Sequence, residues 1–140
     1  MELRLEKFTK AFGPVTVIED MDLTVGSGEM MALLGPSGCG KSTTLFAICG
    51  IHKMTGGRLY FGDRDVTSVP AQQRSVGVVF QNYALYPHMT AEQNIGFPLK
   101  VMRKPKAEIT KEVQRLADLV QIGDLLDRRP AQLSGGQQQR

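Results

Sequence analysis

The sequence predicts an α/β fold, and three features carry that prediction. A short apolar run, Met30–Leu34, leads directly into the glycine-rich loop Gly35–Gly40 and then into a helical stretch, Lys41–Cys49. A second apolar run, Val76–Phe80, reads as another strand buried on both faces, as in a sheet covered on both sides. The third feature is Lys106–Val120, where Ile109, Val113, Leu116 and Val120 recur at helical spacing between charged residues.

The elements follow in order from the N-terminus. Leu3, Leu5 and Lys7 alternate with Glu2, Arg4 and Glu6, which predicts a half-buried strand. Gly13-Pro14 marks a turn. Val15–Ile18 and Met21–Val25 read as two further strands, closed by Gly26-Ser27-Gly28, so this opening region is expected to be antiparallel β. The Met30–Leu34 strand comes next, then the helix Lys41–Cys49, which Gly50 ends. Gly56-Gly57 turns into a strand near Arg58–Phe61, and Pro70 opens a short helical turn. Thr90 starts a helix, with Gln93 completing a capping box, and Pro98 is expected to interrupt it. The stripe on Lys106–Val120 is expected to face a core. There is no internal repeat, and the only biased stretch is the brief glutamine run Gln137–Gln139.

The totals suit one globular domain. Of 140 residues, 41% are hydrophobic and 22% charged, which argues against disorder. Seventeen basic residues face fourteen acidic ones, a mild net charge of +3. The basic residues are scattered along the chain, so no nucleic-acid partner is called for. Cys39 and Cys49 form no CxxC pair, and only His52 and His88 could assist them, which argues against structural zinc. A reduced, cytoplasmic setting is the simpler one. The N-terminus lacks the apolar core of a signal peptide, and no run of about 18 apolar residues exists. Any membrane role is expected to be peripheral.

The loop Gly35-Pro36-Ser37-Gly38-Cys39-Gly40-Lys41-Ser42 fits GxxxxGK[ST] at every position. Its glycines let the backbone curl so that N–H groups from Ser37 to Gly40 face phosphate oxygens. The helix that follows adds its own N-terminal N–H groups and the positive end of its dipole. Lys41 is placed to reach the β- and γ-phosphates, Ser42 to ligate Mg²⁺, and Thr43 to bond the α-phosphate. A chance match in a chain this long has odds of about one in a hundred or less. The loop therefore predicts Mg·ATP binding. Cys39 reads as a small loop residue with no redox role. Kinases, GTPases, helicases and transport ATPases all use such a loop, so other motifs must decide.

Leu133-Ser134-Gly135-Gly136-Gln137 supplies one. A serine followed by two glycines at a helix start makes a second anion-binding terminus. LSGGQ resembles the signature motif of ATP-binding cassette (ABC) ATPases. Val78-Val79-Phe80-Gln81-Asn82 resembles the Q-loop of the same family. The motifs fall in family order over the whole chain. Tyr83–Thr90 (YALYPHMT) and LLDRRPAQLSGGQQQR are similar to importers of the maltose and glycerol-phosphate type.

The resemblance implies a P-loop NTPase core with an N-terminal antiparallel β region and a helical subdomain bearing the signature. The expected division is 1–85 and 86–140. It implies that Ser134, Gly135, Gly136 and Gln137 cap the γ-phosphate on a second ATPase subunit in a head-to-tail dimer. Gln81 would contact Mg²⁺ and the attacking water, which makes Gln81 and Lys41 the expected catalytic residues. Phe12 stands where the family stacks an aromatic on adenine. A core aromatic is the equal alternative, and Val17 would line the base or ribose. Tyr83, Leu85, Tyr86, Pro87 and Met89 form an apolar patch suited to a transmembrane permease subunit, while His88 reads equally as plain surface. A solute-binding protein would be an indirect partner. Sugar or glycerol phosphate is the expected cargo. Polyamine, iron or anion import, a non-transport ABC ATPase and a non-enzymatic nucleotide-binding module remain alternatives.

The family pattern continues past the signature with an apolar strand ending in Asp-Glu and a switch histidine. Neither appears in these 140 residues, and neither His52 nor His88 replaces the histidine. The expectation is an incomplete nucleotide-binding domain, truncated before the second catalytic strand, that binds nucleotide weakly and hydrolyses it hardly at all.

Overall fold

A computed structural model describes all residues, 1–140. It divides into two compact units, Met1–Val78 and Val79–Arg140. The division thus places 79–85 with the helices.

The first unit holds β1 (Leu3–Phe12), β2 (Val15–Val25), α1 (Lys41–Cys49), β3 (Gly56–Phe61) and β4 (Arg64–Asp65). The strands form one antiparallel sheet in the order β2-β1-β3-β4. Leu5, Phe8, Ile18, Leu59, Phe61 and Val66 pack with Ala47 of α1 into the core. Strict alternation would have placed Lys7 on that buried face. Instead the ladder breaks between Leu5 and Phe8, and Lys7 adopts φ 49°. This bulge rotates Phe8 into the core, where it is fully buried, and leaves the lysine in water. The Asp22 carboxylate completes the bulge by accepting from the Lys7 backbone N–H at 2.7 Å and from its ammonium at 2.8 Å. The two strands expected at Val15–Ile18 and Met21–Val25 are instead one long β2, which continues through a second irregularity at Asp20, φ 46°.

Two expected strands fail to form. Neither Met30–Leu34 nor Val76–Phe80 is a strand. Met30 and Leu34 are more than nine-tenths exposed, as is Val79. A strand buried on both faces needs hydrogen-bonded neighbours at its edges, and the four-stranded sheet pairs with neither run. The apolar composition is real, but the parallel partners that would bury it are not formed.

The second unit holds α2 (Ala91–Val101), α3 (Lys106–Leu119) and α4 (Gly135–Gln139), with short 3₁₀ turns at Gly123–Leu125 and Pro130–Gln132. Thr90 and Gln93 form the expected capping box, and Ala91 and Glu92 donate their N–H groups to the Arg128 and Leu126 carbonyls. Pro98 does not end α2. It lies inside the helix, exposed, and the Met102 N–H still bonds to its carbonyl at 3.0 Å. One lost N–H is tolerated because the turns on either side keep theirs. Gly96 lets α2 approach α3 closely: a Cβ there would sit 3.0 Å from Ile109 and 3.2 Å from Val113. Val113 and Ala117 are buried, so the stripe on α3 does face this seam.

Candidate nucleotide-binding site

The loop Gly35–Gly40 rests on β2. Gly40 has φ 93°, and a Cβ there would come within 2.9 Å of Ile18 and 3.5 Å of Val17. A left-handed backbone and a close neighbour both require glycine at this position. Buried Thr44 fixes the other side. Its N–H and its hydroxyl both donate to the Gly40 carbonyl, at 2.8 and 3.0 Å.

The N-terminus of α1 is open. No side chain caps it, and its first turn carries no acid. The N–H groups of Lys41, Ser42 and Thr43 therefore lack helical partners and mark the positive end of the dipole. Ser37, Gly38, Cys39 and Ser42 are exposed around them, and Lys41 and Thr43 are half-buried. The Lys41 ammonium folds back on the loop and donates to the carbonyls of Gly35 at 2.8 Å and Pro36 at 2.7 Å. It also lies 3.5 Å from Cys39 Sγ. No carboxylate neutralises it, so its whole charge remains for an anion. Amide donors, an ammonium and two hydroxyls converge on one helix end. That set fits a polyphosphate, and the Ser42 hydroxyl suits a hard cation carried with it.

The far end of α1 is held by Arg74, a residue the sequence reading passed over. Its side chain is only 5% exposed, yet no acid pairs with it. Its guanidinium instead donates to four carbonyls. Two belong to the end of α1, Ala47 at 2.7 Å and Ile48 at 2.8 Å. The others are Val69 at 2.7 Å and Thr67 at 3.2 Å. A cation at a helix C-terminus complements the dipole. Burial lowers the Arg74 pKa from its ordinary value and raises that of the neighbouring Cys49 thiol.

Phe12 ends β1 and is 45% exposed, which excludes the core alternative. The Lys10 ammonium lies 4.4 Å from its ring centroid, and His52 meets it edge-on at 5.4 Å. Val17 is half-buried beside Gly40.

In the second unit, Gln81 is exposed and follows an unpaired segment rather than a strand. Tyr83 and Ala84 both take left-handed conformations in the turn after it. Asn94, also unforeseen, organises what comes next. Its Oδ1 accepts from the Tyr86 N–H at 2.8 Å, and its Nδ2 donates to the carbonyls of Tyr86 and Thr90. Tyr86 packs on Phe97 with ring centroids 4.7 Å apart. An open groove of about 590 Å³ runs along α2, lined by His88, Met89, Phe97, Lys100 and Val101 among others. Of the apolar patch foreseen from sequence, only Met89 lines it. Tyr83, Tyr86 and Pro87 are exposed and Leu85 is half-buried.

The signature segment starts α4. Ser134 Oγ accepts from the Gln137 N–H at 3.3 Å, and Gln137 Oε1 accepts from the Ser134 N–H at 2.8 Å. A Cβ at Gly135 or Gly136 would meet nothing within 4 Å. Internal packing does not require these glycines, and their bare backbone is approachable from outside.

Residues 18–140 match the family described as ABC transporter. The chain belongs to this family. Among curated ABC relatives, a sulfate/thiosulfate import ATP-binding protein of Agrobacterium fabrum is 49% identical, covering 100% of this chain and 42% of its own length. A trehalose/maltose import ATP-binding protein of Thermococcus litoralis is 48% identical, covering 99% of this chain and 39% of its own. The chain thus spans about two fifths of the length of the curated relatives it matches. Among solved structures, the ATP-binding cassette MJ0796, a dimer in a post-hydrolysis state bound to ADP and Pi, superposes with a TM-score of 0.83 at 28% identity. That match covers 97% of this chain and 65% of the other.

Proposed function

We propose that this chain supplies the nucleotide-binding half-sites of an importer ATPase subunit. The observation that carries the proposal is the uncapped, acid-free N-terminus of α1, with Lys41 bound to the carbonyls of Gly35 and Pro36 and to Cys39 Sγ but to no carboxylate. Lys41 would exchange the Gly35 and Pro36 carbonyls for β- and γ-phosphate oxygens. The backbone from Ser37 to Gly40 would cradle the phosphates, and the Thr43 hydroxyl would bond the α-phosphate. Ser42 would hold Mg²⁺, which would supply charge neutralisation across the phosphates when bound. Phe12 and Val17 would receive the base.

Ser134, Gly135, Gly136 and Gln137 would serve the nucleotide of a second ATPase subunit, so a complete site needs two chains head to tail. Gln81 would contact Mg²⁺ and the attacking water. The groove along α2 and the exposed Tyr83 and Tyr86 would receive a permease subunit, with a solute-binding protein beyond it. The setting is cytoplasmic, at the inner face of the membrane. No helix is long and apolar enough to cross one. Sugar or glycerol phosphate remains the favoured cargo on the similarity of the segment 83–90. The relatives' cargoes span sulfate and sugar at nearly equal identity, which fits a motor that does not itself read the solute.

Titration with a fluorescent ATP analogue in the presence of Mg²⁺ tests the core of this reading. Lys41→Ala is expected to weaken binding by tenfold or more, about 1.4 kcal/mol. Unchanged affinity would overturn the assignment. The docking claim has its own test. Co-purification with a permease should be lost in Tyr86→Glu/Met89→Glu, and intact assembly would sink it.

A further inference from the structure

The hairpin between α2 and α3 carries a charge pattern that nucleotide binding does not use. Residues 100–108 (KVMRKPKAE) are all exposed. They hold four cations, Lys100, Arg103, Lys104 and Lys106, against one acid, Glu108, a local charge of +3. The whole chain carries +3. The remaining residues therefore balance, thirteen bases against thirteen acids, and the entire excess sits on one turn. Glu108 is taken up by Lys104 at 2.9 Å, while Lys100, Arg103 and Lys106 have no ion-pair partner.

Within this ring of cations stand two large apolar side chains. Val101 is 65% exposed and Met102 69%. The turn is well made: Arg103 and Lys104 donate their N–H groups to the Lys100 and Leu99 carbonyls, both at 3.0 Å. The apolar pair is thus presented by an ordered tip rather than by a frayed end. A polyanion such as a nucleic acid would use the cations and gain nothing from an aliphatic tip. An anionic bilayer uses both, because headgroup phosphates attract the cations while Val101 and Met102 enter the acyl boundary.

We propose that the α2–α3 hairpin tip, residues 100–106, binds directly to an anionic phospholipid surface. The inference needs neither nucleotide nor permease, so it stands apart from the ATPase reading even though Lys100 and Val101 also line the groove along α2.

Co-sedimentation of the chain with vesicles tests it. Binding is expected to mixed phosphatidylglycerol–phosphatidylcholine vesicles and not to phosphatidylcholine alone. At about fivefold per cation, the triple variant Lys100→Gln/Arg103→Gln/Lys106→Gln should lower partitioning about 100-fold. Val101→Ser/Met102→Ser, with all charges kept, should lower it about tenfold. All five side chains are exposed, and a thermal melt of each variant confirms that it folds. Triple-variant binding within twofold of the parent would overturn the proposal. So would undiminished binding of the serine variant with displacement by a duplex oligonucleotide, which would make the tip a general polyanion site.

Discussion

Arg74→Met should destabilise the first unit by about 3 kcal/mol. Four hydrogen bonds from a charged donor contribute about 1.5 kcal/mol each, about 6 in gross terms. Part of that returns. The Ala47 carbonyl keeps the Gly50 N–H at 3.1 Å, and the residues bearing the other three carbonyls are only half-buried, so water can reach them. Releasing a nearly buried guanidinium from its desolvation offsets more. For a unit of this size, about 3 kcal/mol corresponds to a fall in melting temperature of roughly 10–20 °C. Arg74→Lys keeps the charge at the end of α1. Three donors on one nitrogen cannot span carbonyls from both 47–48 and 67–69, so about half the loss should remain. Far-UV circular dichroism melts of the three proteins give the comparison. A methionine variant that melts with the parent, or a lysine variant that does so, would refute the view that the fork of donors locks α1 in place.

Other outcomes follow from the same geometry. Gly50→Ala places a Cβ 2.8 Å from Arg74 Nε in a backbone at φ 81°, and should cost about 1–3 kcal/mol in urea unfolding. In an Arg74→Ala background that cost should shrink, because the contacts with Nε and Cζ are removed and only the 3.1 Å approach to the Ala71 backbone remains; simple additivity would count against the close approach. The Lys7 ammonium and backbone N–H hold the Asp22 carboxyl below its ordinary value of 3.8. A depressed folded pKa gives stability that is present above the unfolded value and lost as pH falls through the folded one. Melting temperature should therefore decline below about pH 4 more steeply in the parent than in Asp22→Asn; parallel curves would show that the contact is inert. Ser134→Ala removes a cap of about 1 kcal/mol from a single-turn helix. Amide exchange at Gln137 and Gln138 should accelerate severalfold, and unchanged protection would mean that α4 is held from elsewhere.

The legible parts of this protein were those whose chemistry is local. The glycine at each end of α1, the Thr90–Gln93 box and the stripe on α3 all reside within a few residues, and each appears as expected. What escaped was non-local. The bulge at Lys7 depends on Asp22, fifteen residues away, and no alternation rule contains it. Arg74 was opaque because a buried arginine without an acid has no sequence signature; its partners are backbone carbonyls that any residue could supply. Met30–Leu34 and Val76–Phe80 show the opposite error. Their composition is that of buried strands, but composition states a need for partners and cannot supply them.

The cap at Ser134 has an electrostatic consequence. A capping box works equally well with glutamate or glutamine at its third helical position, since either side chain can accept the returning N–H. This chain uses glutamine at Gln93, Gln132 and Gln137 alike. At Gln137 the choice matters, because a carboxylate would place a full negative charge beside the bare backbone of Gly135 and Gly136. The amide closes the same hydrogen bond at no charge and at any pH. The terminus is ordered yet keeps its positive potential, and a phosphate that approached it would meet neither a competing anion nor a proton-dependent gate.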